Sequence, residues 1–445
     1  MSPRDALMYW IGDKIPNDQF LLYAFTPGAV DPKTLREKVS QRSAVIEDLC
    51  LRVRDVPWNL DYPYWVTRTF GDDQFIVHEL TDPDWTRCRE ATAAIVASAL
   101  DIRIAPWRLH VFPDVRDVPG CDGVPALVAI LQVSHALADG RRAAAIAREL
   151  FGPGEPGGPR PAPDPGHVGP VSLARAVMRT PFQLGQLVAR SYDAFRAYKE
   201  SVALTARGEL PPPQPGRALT ALNTAPGTRH DVRMIVLPLA DLRGGHTVTV
   251  KALTAISVAL SRYLAAGGSA VPETLGAEVT VASPGEAQSR NHFHNVGVDL
   301  FPHEPDLGVR AEKIARALDE RRARAVHPTT LRQGRPLDVT PALLVWFGIN
   351  SHDPADTPAT VSGNTVVTSV HRGAADLRFA GADVRFTAGF PALSPMMGVT
   401  HGVYSIGDTM TVSVHSSPRV MPDPENYEAL LREALDDIAR ILHEP

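Results

Sequence analysis

The sequence predicts two α+β domains joined by a proline-interrupted crossover, and three observations carry that reading. The chain has 445 residues, more than one hydrophobic core usually serves, so two domains of about 200 residues each are expected. Helix-like and strand-like segments alternate through the first half and again after residue 231, the pattern of layered helices on sheets. Between them stand two proline clusters, at 153–170 and 211–215. Proline offers no backbone donor and ends regular structure, so both read as linker. The expected partition is 1–152, a linker and crossover helix over 153–230, and 231–445.

The elements follow in order. Residues 31–49 read as a helix with Asp31 as N-cap and Pro32 at its first position. Residues 74–80 read as a strand and 82–100 as a helix capped by Asp82. Strands are expected at 107–112 and 126–133. The second, A-L-V-A-I-L-Q-V, is apolar almost throughout, as a strand buried on both faces must be. An alanine-rich helix follows at 141–151. A long helix spans 171–208, with Pro181 expected to break or kink it. Beyond the crossover, strands are expected at 232–237, 279–282, 296–301, 361–370, 378–390, 402–406 and 410–415. Helices are expected at 250–266, 307–326 and 426–442. There is no short-period repeat.

Composition narrows the function classes. Apolar residues make up 44% and charged residues 21%, an ordinary globular balance that excludes general disorder. A net charge of -5 provides no basic face for nucleic acid, so no nucleic-acid partner is expected. Cys50, Cys88 and Cys121 are too far apart in sequence for a zinc or redox motif and suggest a reducing compartment. Arg4 and Asp5 interrupt the N-terminus, which has no signal-like apolar core. No run of about 18 uninterrupted apolar residues is present. A cytoplasmic protein is expected, with room for attachment to the inner membrane face.

The strongest local signal is Ser134-His135-Ala136-Leu137-Ala138-Asp139-Gly140, set between the buried strand and the alanine-rich helix. A histidine there is held by a rigid scaffold at a cleft edge, Asp139 can cap the helix, and Gly140 allows a tight entry. Imidazole titrates near neutrality and can take a proton from a hydroxyl. A hydrogen-bonded structural histidine is the competing reading of the same pattern. Neighbours on a strand point to opposite faces, which disfavours Ser134 as a nucleophile paired with His135. His292, His294 and His303 have neither helical ligand spacing nor a cysteine partner, so no metal site is expected and a surface or cleft-edge role is preferred. Gly244-Gly245 and Gly267-Gly268 are turns without a phosphate-binding pattern.

H-x-x-x-D-G after an apolar strand resembles the signature of the acyltransferase superfamily with a chloramphenicol-acetyltransferase-like fold, which includes peptide-synthetase condensation domains. The wider sequence resembles one branch, the wax ester synthase/diacylglycerol acyltransferases. Ser2-Pro3-x-Asp5-Ala6 is similar to that branch's opening, and Ala105-Pro106-Trp107-Arg108-Leu109-His110 to its P-L-W-x-x-H segment. Arg290-Asn291 with Asn295-Val296-Gly297-Val298-Asp299-Leu300 resembles its N-R…N-V-x-V-D-L stretch, and Val366–Val370 with Leu377-x-x-Ala380-Gly381-Ala382 a later one. The similarity is collinear from residue 2 to about 440.

The resemblance implies two chloramphenicol-acetyltransferase-like domains, each a mixed sheet with helices, and an active site in the channel between them. Acyl-coenzyme A would enter from one side and a lipid alcohol or diacylglycerol from the other, giving a wax ester or triacylglycerol. His135 matches the second histidine of HHxxxDG, assigned as general base. Asp139 and Gly140 would support the motif, the aspartate by pairing with an arginine. Ser134, Pro106, Trp107, Asn291 and Ser369 are candidate channel residues, although a tryptophan such as Trp107 more often packs a core. No metal or cofactor beyond the co-substrate is implied.

The chain departs from the family pattern in three places. Ser134 replaces the first histidine. Lys251-Ala252-Leu253-Thr254-Ala255-Ile256 stands where N-D-V-x-L-A is usual, and Ser369 with His371-Arg372 stands in the S-N-V-P-G stretch. These changes admit two alternatives: an altered or inactive relative that binds acyl chains or lipids, or an acyltransferase for a different acceptor, a polyketide-like or glycolipid hydroxyl or an amine. The helix at 171–208 carries aromatic residues and arginines. It suits either a membrane or lipid-droplet surface or packing on its own protein.

Overall fold

The structure, a computed structural model, describes residues 1–153 and 169–441. Most of the first proline cluster lies outside the described residues. Two six-stranded mixed sheets form the frame. The first runs Arg378–Phe379, Ala382–Gly389, Gln19–Thr26, Ala126–Val133, Trp107–Val115, Phe75–Val77. The second runs Asp231–Pro238, Thr409–Ser416, Val399–Ile406, Thr365–His371, Gly276–Ala282, Phe293–Asp299. The sheets do not divide at one point in the chain. Residues 378–389 complete the N-terminal sheet, with Ala382–Gly389 antiparallel to Gln19–Thr26.

The expected apolar strand, Ala126–Val133, is buried at every position. It lies between Gln19–Thr26 and Trp107–Val115, antiparallel to both. Alternation sends its side chains into two cores. Leu127, Ala129, Leu131 and Val133 join Ala143, Ile146, Ala147 and Leu150 of the helix Gly140–Phe151. Ala126, Val128 and Ile130 share a second core with Val232 and Met234 of the other sheet. That second core welds the two sheets together beneath the cleft. The helices Val248–Ala266, Leu307–Val326 and Pro424–Ile441 cover the second sheet. Val248–Ala266 is long and apolar enough to cross a membrane by length and composition, but most of it is buried in this core.

Several elements differ from expectation, each for a local reason. The helix at 31–49 stops at Ser43, and a single turn, Glu47–Cys50, follows. The third helix is Trp85–Val96, capped by Asp84 rather than Asp82. The Asp84 carboxylate accepts Arg87 N–H at 2.8 Å, while Asp82 pairs with Arg116. Pro181 does not end its helix, Pro170–Ala206. The residue is exposed, so water can satisfy the carbonyl it strands. The strand expected at 378–390 is a hairpin, broken where Ala380 and Gly381 take positive φ. Pro3–Gly12 and the strand Gln19–Thr26 were not among the expected elements.

Trp107 belongs to the core and not to a channel. It is 0% exposed, stacks on Phe70 with ring centroids 5.9 Å apart, and donates its indole N–H to Leu49 O at 2.9 Å. Trp107→Ala removes that packing and orphans a buried carbonyl. It is expected to cost about 3–5 kcal/mol, measurable as a lower denaturant midpoint with an unchanged m-value.

Candidate active site

His135 sits where the chain leaves the buried strand for the helix Gly140–Phe151. Its ring is half-buried and lines a cavity of about 340 Å³ between the two sheets. The cavity also touches Gln19, Phe293 and Ser369. The Phe293 ring lies 5.3 Å from that of His135. Gly140 borders the same space, and Val370 would lie 3.6 Å from a β-carbon placed on it.

The protonation of the imidazole follows from its neighbours. His135 Nδ1 lies 2.7 Å from Asn291 Oδ1. Asn291 Nδ2 donates to two groups that can only accept, Asp5 Oδ1 at 3.0 Å and the His135 carbonyl at 2.8 Å. The amide is therefore fixed with its oxygen toward the ring, so Nδ1 carries the proton and Nε2 keeps its lone pair. Nε2 has no protein partner among the described residues. Burial lowers the imidazole pKa below 6.5, opposed by the Asn291 hydrogen bond and the charges of Asp139 and Asp5. The ring is thus neutral at pH 7.

Asp5 and Asp139 hold the segment that carries Asn291. Asp5, capped from Ser2 at the start of Pro3–Gly12, accepts Asn291 N–H at 3.1 Å and Arg290 N–H at 3.2 Å. Asp139 caps its own helix by accepting Arg142 N–H at 2.9 Å and accepts His292 N–H at 3.0 Å. The expected arginine partner of Asp139 is a correction. Its oxygens take backbone N–H groups, and the arginines go to Asp48 instead. Arg142 forks onto Asp48 at 2.7 and 2.9 Å, and Arg290 bonds it from the other side while lying over the Trp65 ring. Burial raises the Asp48 pKa, but the two guanidiniums outweigh it and hold the carboxyl below its ordinary value.

The other candidate residues scatter. Ser369 lines the cavity and accepts from the Thr249 hydroxyl at 3.0 Å. Asn291 stands behind His135 as its partner. Ser134 and Pro106 are buried off the cavity, where Pro106 O accepts Ser134 N–H at 2.9 Å. Lys251 is buried with Nζ on Arg243 O at 3.1 Å, and Ala252 lies in the C-terminal core. His292 borders the cavity, bonded to Pro284 O at 3.1 Å. His303 faces Glu273 at the surface. Among the described residues no three His, Cys, Asp or Glu side chains converge as metal ligands. Asp5, Asp48 and Gln19 are site residues that the sequence did not single out, although Asp5 fell within a stretch of recognised resemblance; Arg372, noted there only as a departure from the family pattern, also lines the cavity.

The fold is similar over its whole length to that of a solved acyltransferase and of solved condensation domains. One is the wax ester synthase/diacylglycerol acyltransferase from Marinobacter aquaeolei VT8, at 17% identity and a TM-score of 0.64, covering 100% of this chain and 99% of that one. A starter condensation domain of rhizomide synthetase, a mutant in complex with C8-CoA and Leu-SNAC, has 14% identity and a TM-score of 0.58, covering 100% and 94%. The first condensation domain of the calcium-dependent antibiotic synthetase, in complex with a substrate analogue, has 14% identity and a TM-score of 0.59, covering 99% and 95%. These likenesses establish the fold. No curated protein matches the sequence. Two family models do: the wax ester synthase/diacylglycerol acyltransferase catalytic domain over residues 1–250, and the WS/DGAT C-terminal domain over 290–439. With more than half of the chain matched by the catalytic model and the fold in agreement, the chain belongs to the wax ester synthase/diacylglycerol acyltransferase family and is an acyltransferase forming neutral lipid esters.

Proposed function

We propose that His135 is the general base of an acyl-coenzyme A-dependent O-acyl transfer to a lipid alcohol or diacylglycerol. The observation that carries this is the half-buried imidazole at the cavity wall, with Nδ1 committed to Asn291 and Nε2 without a partner among the described residues. Nε2 takes the proton of the acceptor hydroxyl as that oxygen attacks the thioester carbonyl carbon. The tetrahedral intermediate collapses, the C–S bond breaks, and the proton passes from His135 to the leaving thiolate. The ester and coenzyme A are the products. The complex of the similar rhizomide synthetase domain with C8-CoA supports coenzyme A as the acyl carrier. His135→Ala is expected to lower coenzyme A release from a long-chain acyl-coenzyme A and a fatty alcohol by at least about 100-fold. Equal turnover by the two forms would sink the assignment. Loss of the Asn291→Ala hydrogen bond should lower kcat about 10–100-fold with KM little changed.

The pH profile has a defined sign. The base works neutral, and burial places its pKa below 6.5. The kcat/KM is therefore expected to be flat from pH 7 to 8 and to fall on acidification with an inflection below 6.5. An inflection above 7 in the wild-type profile would contradict a desolvated imidazole base.

We also propose that the protein meets its lipid substrates at an anionic membrane or lipid-droplet surface, through the outer face of Pro170–Ala206. Leu184, Val188, Tyr192, Phe195 and Val202 recur at helical spacing and are exposed, Val188 at 71%; Phe182 stands at 69%. Arg175, Arg179, Arg190, Arg196 and Lys199 are exposed on the same helix, the combination that binds an anionic interface. In co-sedimentation with phosphatidylglycerol-containing vesicles, the double variant Phe182→Glu/Val188→Glu is expected to bind at least about 10-fold more weakly. Binding equal to wild type would remove this face from consideration.

A further inference from the structure

A buried carboxylate stands beside His135 with no part in the chemistry above. Asp18 is 6% exposed. Gln19 pairs with Val133 across the sheet, so Asp18 lies opposite Ser134, one residue from His135. Asp18 and His135 both line the same cavity. A second cavity, of about 330 Å³ and open between residues 14–20 and 225–230, abuts the first at Asp18, Phe20 and Ala392. The carboxylate therefore stands where the two spaces meet.

Its orientation is built. Asp18 Oδ2 accepts Leu100 N–H at 2.8 Å and Gln132 Nε2 at 2.9 Å. The Gln132 amide is itself fixed, because Nε2 also donates to Ser98 O at 3.1 Å and Oε1 faces His110 Nε2 at 3.1 Å. Both donors fall on Oδ2, and Oδ1 has no protein partner among the described residues. That oxygen keeps accessible surface, so a donor can reach it from the open spaces that Asp18 lines, of which the two larger are the cavity shared with His135 and the one beside it. Burial raises the carboxyl pKa to about 6, with the two hydrogen bonds and Arg108 opposing, so the ionised, accept-only form prevails at pH 7.5.

We propose that Asp18 is a second recognition point for the acceptor, taking a hydrogen bond from a hydroxyl that the acceptor carries beside the one that attacks. The favoured acceptors are then diol-type lipids, such as long-chain vicinal diols and monoacylglycerols. This rests on the acyl-transfer reading for the identity of the ligand but has its own binding test.

The test compares a long-chain 1,2-diol with the same compound methylated on its secondary oxygen. The two have the same primary hydroxyl and nearly the same shape, but the ether cannot donate to a carboxylate. With a long-chain acyl-coenzyme A, wild type is expected to favour the diol by about 10–100-fold in kcat/KM, the scale of a hydrogen bond to a charged group. In Asp18→Asn the amide oxygen must keep the Leu100 and Gln132 donors, which turns the NH₂ into the cavity, where it serves the ether oxygen as well as the hydroxyl. The diol-to-ether ratio should fall to near one while the melting temperature stays close to wild type. The same ratio, read as Kd by calorimetry on His135→Ala protein, needs no turnover. A ratio near one in wild-type kinetics and in binding, or a preference that survives Asp18→Asn, overturns the proposal. If wild type releases no coenzyme A with either compound, the acyl-transfer reading fails, and the binding ratio still decides for or against Asp18.

Discussion

Three consecutive backbone N–H groups, those of Arg290, Asn291 and His292, are held by two carboxylates from the other half of the chain, Asp5 and Asp139. The rest of the site depends on this clamp. The segment enters the strand Phe293–Asp299 at the edge of the second sheet, and its first N–H groups have no ladder partner. A buried N–H without an acceptor costs about 1–3 kcal/mol, whereas one given to a carboxylate is among the stronger hydrogen bonds a protein makes. The clamp therefore serves two ends at once. It satisfies the entry of the strand, and it delivers the Asn291 amide to His135 from 156 residues away. The Arg290–Asp48–Arg142 cluster locks the same segment from its side-chain face. An imidazole whose Nδ1 is held from the other sheet keeps this tautomer only while the two sheets remain docked.

The part of this site visible in the sequence was the part made locally. An almost wholly apolar strand, a histidine, a capping aspartate and a glycine lie close together in sequence, and their roles follow from strand alternation and helix capping. Asp139 was expected to act through an arginine side chain, but it acts through main chain, which no spacing of side chains reveals. Asp5 lay within a stretch of family likeness, yet its partners are 285 and 286 residues away, and nothing near it announces them. Gln19–Thr26, Q-F-L-L-Y-A-F-T, is buried almost throughout like Ala126–Val133; it carries the same apolar signal and was legible as a strand buried on both faces, though not singled out. The hairpin at 378–389 was legible as strand, but its place in the N-terminal sheet was not. Sheet order is decided by long-range pairing, and a strand carries little sign of which sheet it will join.

The positions at which the chain departs from its family can now be sorted by what they touch. Ser134 points away from the cavity, and its Oγ accepts the Ala136 N–H at 3.3 Å. A serine in place of the family's histidine there changes the packing behind the strand rather than the His135 imidazole at the cavity. Lys251 reaches the Arg243 carbonyl and Ala252 fills a core, so the altered second motif borders neither His135 nor Asn291. Arg372 is different. It is buried at the cavity wall, donates to Ala388 O at 2.8 Å and to the Thr387 hydroxyl, and stacks over Tyr404 at 4.3 Å and Tyr23 at 5.3 Å. Here a guanidinium from the second sheet reaches strands of the first, with its charge spread over two aromatic faces and fixed acceptors. A proline–glycine turn at that place could bend the chain but could not bridge the sheets. In this chain one wall of the cleft is therefore tied to the first sheet by side-chain bonding. The tie leaves the imidazole and its amide partner intact, because their positions are set by Asp5 and Asp139 on the opposite wall.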